Sequence, residues 1–197
     1  MEEQFQDLWQ TRHDGSQVKA GRVLVADPFL GGRYFNRSVV YMVEHNERGS
    51  VGLVLNKPLP PALASNLPCF LPGKRFRFHA GGPVETDRLC YLHRFPWIEG
   101  SHALPGGIYW GGDIEALTGF IRDGKIHPDG IRFFAGYSGW GENQLDGELK
   151  ERSWVVGDID ADRLFSSPDE TLWSESASAF GARYRLRAVF PADPVMN

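Results

Sequence analysis

The chain has 197 residues, 42% of them hydrophobic and 13% aromatic, enough to bury one sizeable core in a single domain spanning 1–197. A net charge of −4 without a basic tail disfavours a nucleic-acid partner, whose phosphates call for an excess of Lys and Arg. The opening MEEQFQDLWQTRHDGSQ lacks the charged-then-apolar order of a secretory leader, and no run approaches the ~20 apolar residues of a membrane span. A cytoplasmic protein without membrane contact is expected.

In chain order, Phe5, Leu8 and Trp9 fall at helical spacing, so residues 1–20 are read as a short helix and loop packed on the body. GRVLVAD (21–27) is a strand, followed by a turn at Pro28. SVVYMVE (38–44), HNERGS (45–50) and VGLVLN (51–56) read as a β-hairpin whose apolar strands predict cover on both faces. With Glu44 opposite Val51, antiparallel counting puts Ser38 opposite Lys57 and Val39 opposite Asn56. Arg37, Ser38, Asn56 and Lys57 then gather at the open end. Glu44, His45 and Asn46 lie roughly 20 Å away at about 3.4 Å per residue.

Several prolines bracket a short helical patch at LASNL (63–67), and RFRFHAGGPV (75–84) alternates like a strand that stops at Gly81 and Gly82. LCYLHRF (89–95) and Ile108–Trp110 are further strand candidates. DIEALTGFIRDG is a helix with Asp113 as N-cap and Gly124 as stop. IRFFAGY (131–137) is a strand and GENQLDGELKERS (141–153) a helix, acidic first and basic last as its dipole favours. Two helices follow, from Asp160 to Phe165 and from Pro168 to Phe180, and ARYRLRAVF (182–190) closes the chain as a strand. Strands and helices do not alternate regularly, which predicts α+β rather than a doubly wound sheet.

GYSGWG (136–141) sits at the expected strand-to-helix junction, the context of a nucleophile elbow. The letters do not fit: Trp140 stands where the second glycine of GxSxG belongs, and no histidine follows Ser138. An anion cup on Gly139 and Gly141 and a plain tight corner with Trp140 in the core remain open. Asp158, Asp160 and Asp162 imitate a calcium loop but lack its Gly and Glu, so they are read as helix caps. The six histidines show no ligand spacing, and Cys69 and Cys90 no CxxC, so neither a metal nor another cofactor is expected. Arg183, Arg185 and Arg187 are read as a charged edge-strand stripe.

Together, GRVLVADPFL, YFNRSVVYMVEHNERGSVGLVLNKPL, GGPVETDRLCYLHR and FFAGYSGWGENQLDGELKERSWVV resemble the YqgE/AlgH family of bacterial proteins. That resemblance implies a single α+β domain with a mixed, split sheet and a small barrel-like core surrounded by helices. The family's regulator label comes from a link to exopolysaccharide control in one group of bacteria. Its recurrent residues correspond here to Arg37, Ser38, Glu44, His45, Asn46, Asn56, Gly81, Gly82, Pro83, Trp140, Gly141 and Gln144. The family commonly has Ala where this chain has Ser138 and Pro-Gly in place of Glu142 and Asn143.

The expected function is a non-catalytic binding or regulatory role for a small anionic ligand or a protein partner. Its site would combine the open hairpin end with the GGPV and GYSGWG stretches. Arg37 and Lys57 would supply charge, Asn56 and Gln144 hydrogen bonds, and Trp140 a stacking wall. One alternative is an enzyme acting on a small anionic metabolite through Glu44 or His45. The other is a DNA-binding transcriptional regulator, although no helix-turn-helix with a basic second helix is evident.

Overall fold

The computed structural model describes residues 18–31, 34–66, 76–181 and Tyr184. The expected N-terminal helix, Cys69 and the arginine stripe lie outside these residues; of the expected last strand only Tyr184 is described, buried against Phe180.

The first strand, β1, is Val23–Ala26, and the hairpin is β2, Val39–Asn46, with β3, Gly49–Val54. A one-turn helix α1, Pro61–Ala64, precedes β4, Arg77–Ala80, and β5, Val84–His93. The short pair β6, His102–Leu104, and β7, Ile108–Trp110, leads to α2, Ile114–Arg122. Then come β8, Ile131–Trp140; α3, Gln144–Lys150; β9, Trp154–Gly157; α4, Ala161–Ser166; and α5, Asp169–Ser178.

Among the described residues nine strands form one α+β domain in the order β6-β7-β5-β8-β3-β2-β1-β9, with β4 attached to β8 off this path. All pairings are antiparallel except β4 with β8, so the sheet is mixed. It is also split. Residues 50–52 of β3 pair directly with 138–140 of β8, but further along, β4 is wedged between them. There β4 pairs with β8 on one side, while Leu59 N–H donates to the Phe78 carbonyl and Ala80 N–H to that of Lys57 on the other. Among the described residues the end strands β6 and β9 do not pair, so the barrel-like character stops short of closure.

One face of the sheet carries a continuous core under α4 and α5, including Val23, Tyr41, Leu53, Phe134, Leu164 and Trp173. The other face is divided. Leu145 and Leu149 of α3 cover Leu24, Val40 and Met42 over one half, and Leu117 and Ile121 of α2 cover Phe78, Tyr91 and Phe133 over the other. Both faces of the hairpin are therefore covered, as its apolar strands require.

The hairpin pairs Glu44 with Val51, His45 with Ser50 and Asn46 with Gly49, the register expected from counting. Between Met42 and Glu44 the register slips, leaving Val43 as the extra residue of a β-bulge. Beyond it every partner moves by one: Leu55 N–H donates to the Val39 carbonyl, so Val39 does not face Asn56, nor Ser38 Lys57. The expected corner at GYSGWG is also corrected. Strand β8 runs through all of it up to Trp140, and α3 begins only at Gln144. Gly136, at φ 68°, supplies the left-handed bend that lets the strand continue instead of ending. The patch at LASNL is helical from Pro61 to Ala64, and β6 and β9 are strands that the pattern did not mark. Asp113 and Asp160 cap their helices as expected, accepting from Glu115 N–H and Arg163 N–H at 2.9 and 2.8 Å.

Candidate functional site

The sequence-nominated residues separate into three places. At the open end of the hairpin, Asn56 acts as a surrogate for missing strand backbone. Its Oδ1 accepts from Val39 N–H at 2.9 Å and its Nδ2 donates to the Arg37 carbonyl at 2.8 Å. Arg37 is held at φ 52°, a strained conformation for a residue with a Cβ, and its guanidinium lies 4.9 Å over the Trp173 ring. Ser38 is fully buried, and Lys57 Nζ donates to the Asn36 carbonyl at 2.8 Å. Burial lowers the Lys57 pKa from its ordinary value. These side chains tie the end of the hairpin together.

The second place is the fork where the sheet splits. Gly81 N–H donates to the Ala135 carbonyl, and the Gly81 carbonyl accepts from Val54 N–H at 2.9 Å and from the Ser138 hydroxyl at 3.1 Å. A Cβ on Gly81 would fall 2.3 Å from the Gly136 oxygen, and one on Gly82 only 1.8 Å from the Tyr137 carbonyl carbon. The GGPV glycines are thus demanded by close backbone approach, and Ser138, fully buried, pins the fork. A nucleophilic Ser138 has no access to substrate.

The third place is the closed end of the hairpin. Because Ser50 pairs with Trp140, and Val51 with Gly139, strand β8 carries Trp140 and Gly141 to Glu44, His45 and Asn46, not to Arg37. Cross-strand partners share a face, so Glu44, Val51 and Gly139 form one row and Val84 with Tyr137 the next. Along these rows runs an open cleft of about 890 Å³, rimmed by Asn46, Glu47 and Arg48. Gly139, lacking a side chain, leaves its floor low. Four residues of β5, 85–88, bulge out beside it, where the Tyr137 hydroxyl reaches Glu85 Oε1 at 3.4 Å and Arg88 lies 5.9 Å over the ring.

A second cleft of about 540 Å³ runs past His45, Ser50, Gly141, Asn143 and Asp146. In its wall His45 Nδ1 and Ser50 Oγ are 2.7 Å apart. Glu44 Oε1 accepts from Asn46 Nδ2 at 2.6 Å. Gln144 closes the start of α3: its Oε1 accepts from Gly141 N–H at 3.0 Å, so that donor is not presented to an anion. Trp140 is turned into the core against Phe35 and Trp154, and its indole N–H donates to Glu148.

An AlgH-like family model matches residues 23–185. The chain belongs to the AlgH-like family. It is 36% identical over 191 residues to a UPF0301 protein of Bacteroides fragilis, covering 97% of each chain. With the UPF0301 protein of Cytophaga hutchinsonii the identity is 38% over 179 residues, 90% of this chain and 98% of the relative. Among solved structures, the AlgH protein of Pseudomonas aeruginosa superposes with a TM-score of 0.68 at 29% identity, over 90% of this chain and 97% of its own. Protein DIP2367 of Corynebacterium diphtheriae shares the fold, with a TM-score of 0.68 at 21% identity over 88% and 93% of the two chains.

This AlgH-like chain also holds a polar cluster that its sequence did not reveal. Asp169, at the start of α5, receives Arg77, His79 and Arg132 on one carboxylate oxygen, at 2.6, 3.1 and 3.4 Å. His79 and Arg132 are fully buried. The spacing from His79 to Asp169 is 90 residues, beyond any local motif. The only sequence signal is an unexpected charge: Arg132 stands second in the apolar strand IRFFAGY. Among the described residues no group of acidic, His and Cys side chains is arranged to hold a metal ion, and no helix is long and apolar enough to cross a membrane.

Proposed function

We propose that this protein is a non-catalytic binding protein with a regulatory role, and that it takes its ligand or protein partner at the closed end of the β2–β3 hairpin. The observation that carries this reading is the 890 Å³ cleft on Val51, Gly139, Val84 and Tyr137, where low apolar floor and polar rim meet at element ends. The hairpin's open end is the weaker choice, because Asn56 and Lys57 hydrogen-bond the hairpin's own backbone there. Action through a partner fits the net charge of −4 better than direct DNA contact does. A cytosolic setting is supported by the free, buried thiol of Cys90.

The test is a thermal-shift screen against short peptides, nucleotides, sugar phosphates and duplex DNA. A ligand at a hundred times its Kd adds about 2.7 kcal/mol, several degrees in Tm. The expected hit disappears in Tyr137→Ala and survives in Lys57→Ala. The opposite pattern moves the site to the open end, and a sequence-selective, salt-sensitive shift with DNA replaces the reading by a DNA-binding one.

A second reading, catalysis through His45, is favoured by its 2.7 Å contact with Ser50 in the wall of the smaller cleft. Labelling of Ser50 by a fluorophosphonate, lost in His45→Ala, would support it; an unlabelled chain would remove it.

A further inference from the structure

We propose that Asp169, His79, Arg77 and Arg132 form a proton-sensitive latch, and that protonation of His79 releases helix α5 from the sheet. The inference is independent of the cleft.

The latch is built across three elements. Arg77 on β4 and Arg132 on β8 are direct partners in the parallel pair, and His79 follows two residues after Arg77. Arg77 and Arg132 reach the turn joining α4 to α5, and His79 reaches Asp169 at the start of α5. Arg77 donates to the carbonyls of Phe165 and Ser167 at 3.0 and 2.8 Å, and Arg132 to that of Ser167 at 3.0 Å and to that of Leu55 at 3.2 Å. Asp169 Oδ1 completes the set by accepting from all three side chains. The interhelical turn is thereby bolted to two strands of the sheet.

His79 is the member whose charge can change near neutral pH. To donate Nε2–H to Asp169 in its neutral form, the ring must leave Nδ1 as a bare lone pair. Nδ1 is buried and, among the described residues, has no hydrogen-bond partner. A second proton would have to sit there, creating an N–H with no acceptor. It would also raise the local count from two positive and one negative charge to three against one. Among the described residues, the charged groups facing the imidazole are Arg77 from β4, Arg132 from β8 and Asp169 from α5. Burial, the largest cause, lowers the His79 pKa from its ordinary value; Arg132 acts in the same sense, against the Asp169 hydrogen bond.

The sign follows. A base whose pKa is lower in the folded state leaves stability intact above its unfolded value, about 6.5, and weakens the fold as pH falls below that. What is weakened is the seat of α5. There Trp173 donates to the Ala26 carbonyl of β1 at 3.0 Å, and Leu172 and Ala177 are fully buried over the strands.

Hydrogen exchange of the full chain between pH 8 and 5, corrected for intrinsic rates, reads the latch directly. Amides of 169–178 are expected to exchange at least about fivefold faster at pH 5.5 than at pH 7.5, while those of β8 hold their protection. His79→Gln, which cannot take up the proton, should show no such change. A wild-type α5 with pH-independent protection, or a variant that responds as the wild type does, overturns the proposal. If the variant does not fold, NMR titration of the His79 imidazole in the wild type decides instead. Protonation at or above about pH 6.5, or protonation that leaves α5 amide shifts unmoved, is equally fatal.

Discussion

Trp140 and Trp154 donate their indole N–H groups to the same oxygen, Oε2 of Glu148, at 2.9 and 2.7 Å. Two large rings from β8 and β9, strands far apart in the sheet order, are thus fixed by one carboxylate on α3. Gln144 supports that carboxylate through its Nε2 at 3.0 Å to Oε1. Glu148→Ala would strand two indole donors, and an expected loss of about 2–3 kcal/mol should appear as a lowered urea midpoint. Glu148→Gln keeps an acceptor and should lose about half of that or less. Equal losses would mean that charge, not hydrogen bonding, holds the rings.

Gly82 and Gly139 make opposite predictions from similar letters. Ala at position 82 would place its Cβ 1.8 Å from the Tyr137 backbone, whereas at 139 its contacts begin at 3.5 Å, an ordinary distance. Gly82→Ala should therefore cost more than about 3 kcal/mol or abolish folding, and Gly139→Ala less than about 1 kcal/mol. Urea unfolding of the two proteins checks both. Because Gly139 floors the larger cleft, its variant should also weaken any ligand identified there without altering the fold.

Ser138→Ala removes the hydroxyl that donates to Gly81, but the Gly81 carbonyl keeps Val54 N–H. A loss of about 1 kcal/mol is expected in the same unfolding assay. Retention of any binding activity found for the protein would agree with a purely structural serine.

Asp169 has its own acid limb. Burial alone would raise its pKa, but the His79 hydrogen bond and the charges of His79, Arg77 and Arg132 together hold it below the ordinary carboxylate value. A depressed carboxylate stabilises the fold above its unfolded pKa, about 3.9, and that contribution is lost as pH falls through the folded value. Asp169→Asn should cost about 3 kcal/mol at pH 7, since the fully buried guanidinium of Arg132 and the partly buried one of Arg77 lose their counter-charge, and should flatten the stability profile below pH 4. Urea midpoints across pH 3–7 measure both effects.

Much of this fold is legible locally. Continuous apolar runs around a glycine-containing turn gave the β2–β3 hairpin and even the Glu44–Val51 pair. The bulge at Val43 has no local mark, because an extra valine in an apolar strand looks like any other. GYSGWG looks like a corner for a related reason: glycines that usually punctuate here serve close strand contacts, with Gly136 bending the strand and Gly81 facing it across the fork. For the candidate site, the residue types were visible but not their grouping. Which end of the hairpin receives Trp140 depends on the register between β3 and β8, a pairing between segments some 90 residues apart. The latch around Asp169 is hidden in the same way, since buried charges find partners through topology and not through spacing.

The wedge of β4 between β8 and the residues after β3 also bears on how the chain is made. Strand β8 is the common neighbour of β3, β4 and β5, yet it is the last of the four to be synthesised. Until Trp140 has left the ribosome, the hairpin and β5 have no central strand to dock on, and the apolar faces of Tyr41, Leu53 and Leu92 stay uncovered. Loop-closure entropy for these distant pairings must be met before they contribute stability. A nascent chain that stalls before residue 131 is consequently a sticky one, and holding it apart from its neighbours at that stage is work for a chaperone, not for the fold.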